Sequence, residues 1–141
     1  MAMPYHDGES FERHVAQLYS DILCKKVYHD VFHKSDGHIS QIDIEYDTIF
    51  GRRYVECKYR SNGRMVSLEE IAKFAAVLEI IGERTSKGEF VTNTDYTGRA
   101  KSYAARKGIR LYDLHDVKRM EEKTSPHFIL SQLVQITKFY K

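Results

Sequence analysis

A single α/β domain built on a mixed sheet is predicted by three features of the chain. Apolar residues recur at helical spacing in two stretches, Phe11 to Ile22 and Leu68 to Ile81. Between them, Gln41–Tyr46 and Tyr54–Tyr59 alternate polar and apolar residues with a period of two, as half-buried strands do. Beyond the second stretch, a short strand, a helical segment and another short strand follow with tight connections, which is how a right-handed parallel crossover reads.

Phe11, Val15, Leu18, Tyr19 and Ile22 make residues 9–24 an amphipathic helix, with Ser10 as the candidate cap. Val27 to His33 is rich in aromatic and β-branched residues and stops at the Ser35-Asp36-Gly37 turn, so it reads as a first strand. The two alternating segments follow as a hairpin around Gly51, completing an antiparallel meander. Ser67-Leu68-Glu69-Glu70 has capping-box spacing and opens a helix whose apolar stripe runs to Gly82. Glu89–Thr92 is a strand, Asp95-Tyr96-Thr97-Gly98 leads into a helix closed by Lys107-Gly108, and Ile109–Tyr112 returns as a strand. The expected order is α-β-β-β-α-β-α-β. Asp113 would cap a short helix to about Met120, and Ser125-Pro126 starts a terminal helix over about 126–140 that either caps the core or docks on a partner. Residues 1–141 then form one domain with its core over about 8–117.

Twenty-two basic and twenty acidic residues leave a net charge of +2, so any nucleic-acid contact must come from local clustering. No apolar run is long enough to span a bilayer, and Met1-Ala2-Met3-Pro4-Tyr5-His6 lacks the charged and apolar regions of a secretion signal, so a cytoplasmic protein is expected. Cys24 and Cys57 match no metal or redox spacing and are expected to be small buried hydrophobes.

The hairpin carries the chemistry. Strand alternation sets Gln41, Asp43 and Glu45 on one side and Ile42, Ile44 and Tyr46 on the other; Tyr54, Glu56 and Lys58 likewise oppose Val55, Cys57 and Tyr59. A register placing Asp43 opposite or diagonal to Glu56 brings both carboxylates together with Lys58 beside them. Hard oxygen donors of this kind suit Mg²⁺, for which Mn²⁺ substitutes, with the Cys57 backbone carbonyl as a further ligand. Such a site activates water for phosphodiester hydrolysis, Lys58 orienting the water or neutralising the transition state. Glu12 adds a carboxylate if the first helix packs over the sheet. The opposing interpretation is a salt-bridged solvent face in which Arg52 and Arg53 take part. Glu-x-Lys spacing alone does not decide, because Glu121-Glu122-Lys123 has it as well.

Phe11-Glu12, Asp43 and Glu56-Cys57-Lys58 together resemble the PD-(D/E)xK nuclease superfamily, and within it the Mrr-like restriction endonuclease domains. The resemblance covers roughly residues 8–117 and extends through the helix at Val66–Gly82 and the strand and helix from Phe90 to Ala100. It implies a restriction-endonuclease-like three-layer fold with an α-β-β-β-α-β core flanked by helices. It also implies a metal-dependent DNA endonuclease of restriction or repair type, with catalytic residues Asp43, Glu56, Lys58, Glu12 and Gln41, and metal held by Asp43, Glu56 and the Cys57 carbonyl. Gln41-Ile42-Asp43 departs from the Pro-Asp or Gly-Ile-Asp frequent in the family, which leaves the role of Gln41 open, and Glu9 competes with Glu12 for the extra carboxylate. Two readings stand beside it: a Holliday-junction or other structure-specific nuclease, and a non-catalytic nucleic-acid-binding domain. For DNA contact the candidates are Thr92 and Asn93 ahead of a helix N-terminus, Arg99 and Lys101 on that helix, and Arg64 in the loop after the hairpin. Cutting both strands implies a homodimer or two successive events, with the 126–140 helix as the candidate contact.

Overall fold

The structure, a computed structural model, describes residues 3–124; the helix expected over 126–140 lies outside them. Helix α1, Gly8–Leu23, precedes an antiparallel meander of β1 (Tyr28–Ser35), β2 (His38–Thr48) and β3 (Gly51–Lys58). Helix α2 (Leu68–Ile80), β4 (Gly88–Thr92), α3 (Gly98–Lys107) and β5 (Arg110–Tyr112) follow, with β4 parallel to both β3 and β5. Helix α4, Leu114–Thr124, runs four residues past the expected end at Met120. Spatial strand order equals chain order, β1-β2-β3-β4-β5, because each crossover is short.

Two apolar clusters sandwich the sheet. Ile71, Phe74 and Leu78 of α2 and Ala100 and Ala104 of α3 pack on Tyr54 and Phe90 on one face. Phe11, Val15 and Leu18 of α1 and Val117 of α4 cover Ile44, Val55, Cys57 and Val91 on the other. The domain therefore has three layers. Gly88 lets β4 lie against α2, since a Cβ there would stand 2.7 Å from Leu78 Cδ1 and 2.9 Å from Phe74 Cε2.

Three expectations change. The N-cap of α1 is Asp7, whose carboxylate accepts from the Ser10 N–H at 2.7 Å; Ser10 is the third helical residue and returns the bond to the Asp7 backbone. Cys24 is exposed, because it ends α1 in a left-handed conformation, φ 53°, which turns it off the apolar stripe. Strict alternation along β2 also fails. Ile44 and Tyr46 lie under α1 as one set, but Ile42 joins the α2 cluster. The reversal falls at Asp43, where the β1–β2 register passes Asp30 and Asp43 without pairing them and Asp30 takes φ 53°. By contrast the Ser67–Glu70 capping box and the left-handed Gly108 cap of α3, φ 74°, form as the sequence predicts.

Candidate active site

Phe11 is wholly buried and fixes the rotation of α1, which sets its neighbour Glu12 at the rim of the helix facing the sheet. Ile42 and Ile44, both fully buried, hold Asp43 between them. On β3 the buried Cys57 fixes Glu56 and Lys58 on the opposite face, and the Thr92 hydroxyl anchors the strand by donating to the Lys58 carbonyl at 2.8 Å. Glu12, Asp43, Glu56 and Lys58 converge on one cleft of about 480 Å³, with Glu70 and Lys73 from α2 on its far wall and Phe74 and Phe90 as its apolar base.

The β2–β3 ladder ends at Ile44 opposite Val55, and one step further Asp43 meets Glu56. Asp43 Oδ2 accepts the Cys57 N–H at 2.8 Å. In an extended strand a residue's N–H and C=O point to the same side, so the Cys57 carbonyl also faces Asp43, beyond the last ladder pair. Burial first, then a carboxyl-to-carboxyl hydrogen bond with Asp43 and the charges of Asp43 and Glu12, push the Glu56 carboxyl far above its ordinary range; Lys58 offsets part of this. Glu12 is raised to about 7 by burial, Asp43 and Asp30, against the pull of His29. Complete burial pushes the Cys57 thiol well up, so it stays a neutral core side chain.

Lys58 approaches Glu70 at 4.0 Å, yet Glu70 is already bonded to the Arg60 guanidinium and caps α2 through the Ser67 N–H. Three carboxylates therefore crowd a partly desolvated cleft whose nearest cation is shared. Two carboxylates and a strand carbonyl are hard oxygen donors, the kind that suits a divalent ion.

The other sequence-predicted residues divide. Glu9 faces solvent and pairs with Arg13 at 2.9 Å, so of the two glutamates only Glu12 enters the cleft. Gln41 is exposed, outside the cleft, and donates to Asp30 Oδ1 at 2.8 Å. Thr92 is fully buried, and Asn93 spends both ends of its amide on the Arg60 backbone, at 2.7 and 2.8 Å. Thr92 ties β4 to the end of β3 and Asn93 ties it to the segment that follows, while the cap of α3 is Thr97. Arg64, Arg99 and Lys101 also lie outside the cleft; Lys101 pairs with Asp95 at 3.6 Å, and Arg99 borders a separate shallow groove with Arg106. Glu70 and Lys73 were missed: Lys73 follows the capping-box Glu70 by three residues, so both fall on one helical face, but nothing local says that face meets the sheet.

The salt-bridged interpretation holds at the other end of the hairpin. There Arg52 bonds Asp47 at 2.8 Å and the buried Glu45 at 3.3 Å, and His33 meets Glu45 at 2.6 Å. His33 is thus the partner of a buried acid.

The restriction endonuclease family model Mrr_cat matches residues 5–120. No curated protein matches the chain. Among solved structures, Can2 from Sulfobacillus thermosulfidooxidans in complex with cyclic tetra-adenylate is 21% identical, with a TM-score of 0.65 over 82% of this chain and 36% of that one. A repair endonuclease from Pyrococcus abyssi is 16% identical, with a TM-score of 0.53 over 80% of this chain and 49% of that one. The DNA modification-dependent restriction endonuclease AspBHI is 12% identical, with a TM-score of 0.51 over 91% and 35%. The likenesses establish a restriction-endonuclease-like fold, and the chain spans only about a third to a half of these three proteins.

Proposed function

Because the chain belongs to the restriction endonuclease family, whose model covers residues 5–120, we propose that it is a Mg²⁺-dependent endonuclease acting on DNA. One observation carries this reading: Asp43 and Glu56, brought from adjacent strands, press their carboxyls together in a cleft that also holds Glu12 and Lys58. Two ionised carboxylates at that spacing repel; a shared proton relieves the repulsion in the metal-free protein, and a divalent cation between them would do so with both ionised. Asp43, Glu56 and the Cys57 carbonyl would hold the ion, which supplies Lewis acidity to water and screens charge on the phosphodiester.

The remaining chemistry belongs to the chain's own side chains. Lys58 lies at the open side of the cleft, side chain 47% exposed, where its ammonium can donate to a non-bridging phosphate oxygen or orient the attacking water. Glu12, held near neutrality in its proton affinity, accepts a proton from that water. Lys73 stands on the opposite wall and adds positive charge to receive the backbone. Arg99 and Arg64 extend that contact away from the cleft. One site cuts one strand, so cleavage of a duplex takes a homodimer or two events, and a cytoplasmic location goes with such a substrate.

Plasmid cleavage with Mg²⁺ or Mn²⁺ tests the proposal. Asp43→Asn should abolish nicking; full activity in that variant would sink it. Supplying a four-way junction beside linear duplex separates a branch-specific enzyme, which would nick only the junction.

A further inference from the structure

Asp30 creates a second group of donors beside the acid cleft. Along a regular strand His29 and Asp30 would point to opposite faces. With φ at 53° on Asp30, both instead meet Glu12 of α1, and the ligand atoms of the three lie within 4.8 Å of one another. His29 Nε2 stands 3.6 Å from Glu12 Oε2 and 3.7 Å from Asp30 Oδ2. Both distances exceed a hydrogen bond. Although the ring is only partly buried, Nε2 itself is closed off from water and has no hydrogen-bond partner among the described residues. Donors bound to one tetrahedral ion at about 2.1 Å stand roughly 3.4 Å apart, close to both spacings.

We propose that Glu12, His29 and Asp30 bind a second divalent cation, a transition ion of the Zn²⁺ or Mn²⁺ kind rather than Mg²⁺. A neutral imidazole beside two carboxylates favours such an ion, whereas Mg²⁺ keeps to oxygen donors and its own waters. Gln41 acquires a positioning role here: its amide donates to Asp30 Oδ1, leaving Oδ2 on the His29 side. Three protein ligands leave a coordination position open for water or a substrate oxygen. Glu12 also lines the acid cleft and so serves both positions. That shared role rests on the nuclease reading above; the ion site by itself does not.

Equilibrium dialysis of the full chain against Zn²⁺, with Mg²⁺ in excess and no DNA, tests the site. Wild type and Glu56→Gln should each keep a Zn²⁺ that His29→Ala binds about tenfold or more weakly. Undiminished Zn²⁺ affinity in His29→Ala would overturn the proposal. Zinc-edge anomalous diffraction from wild-type crystals gives an answer that does not depend on how the variant folds: density beside His29 Nε2 is expected, and its absence at saturating Zn²⁺ would overturn the site. Zinc at His29 with no DNA cleavage leaves this site standing and sinks the nuclease reading; cleavage with no zinc there does the reverse.

Discussion

Glu89 on β4 and Glu56 on the neighbouring β3 are both acids set into one sheet, and their surroundings are opposite. Glu89 is 1% exposed and accepts from the Tyr19 hydroxyl at 2.7 Å, from the Tyr46 hydroxyl and from Arg53 Nε at 2.5 Å. Those donors come from α1, β2 and β3, so the carboxylate ties three elements to β4. Glu45, also wholly buried, is matched by His33 and Arg52 in the same way. Glu56 faces two further acids, Asp43 and Glu12, and one shared lysine. A buried acid provided with donors is part of the framework; buried acids that crowd one another define a place for something positive.

The largest effect should come from breaking the framework acid. Glu89→Ala leaves Arg53 and two tyrosine hydroxyls without their acceptor and should cost about 3–5 kcal/mol, read by urea denaturation. A loss no larger than that of a surface substitution would erase the contrast. Next comes Lys58→Ala, which should leave stability nearly unchanged but slow cleavage by about 10²–10³-fold in a plasmid assay.

Glu56→Gln should do the opposite of Glu89→Ala in metal-free protein. The folded-state carboxyl of Glu56 sits above its ordinary 4.5, so folding favours the protonated form. Its contribution to stability is complete below the ordinary value and is lost as pH rises toward the folded one. The glutamine variant escapes that loss, so its advantage should be nil in acid and reach on the order of 1 kcal/mol at neutrality, measured by melting across pH. An equal advantage at every pH would contradict the charge-crowding account.

These contrasts were only partly legible in the chain. Element order, the Ser67–Glu70 cap and the Gly108 stop are local signals and were readable. Asp43, Glu56 and Lys58 were readable as neighbours from the short hairpin, whose register carries Asp43 one step past the Ile44–Val55 pair; the reversal of β2 at Asp43 was not. Thr92 and Asn93 looked like phosphate ligands because their partners, the backbones of Lys58 and Arg60, lie more than thirty residues away. Glu89 stayed hidden in a short apolar strand, since its donors come from three other elements. His29 and Asp30 were invisible for a different reason: adjacent strand residues diverge unless one adopts φ above zero, as Asp30 does.

The smallest effect belongs to the outlying cations. Arg99→Ala should leave melting within about 0.5 kcal/mol, while the slope of log affinity against log salt for DNA falls by about 1 if Arg99 touches a phosphate. An unchanged slope would remove Arg99 from the DNA path without touching the cleft.

The central claim is that the crowded acids of the cleft are a cation site and the paired acids are not. Mn²⁺ soaked into crystals, located by its anomalous scattering, tests it most directly. The account predicts density within coordination distance of both Asp43 and Glu56 and none at Glu89 or Glu45; Mn²⁺ bound elsewhere, with nothing between Asp43 and Glu56, would contradict it.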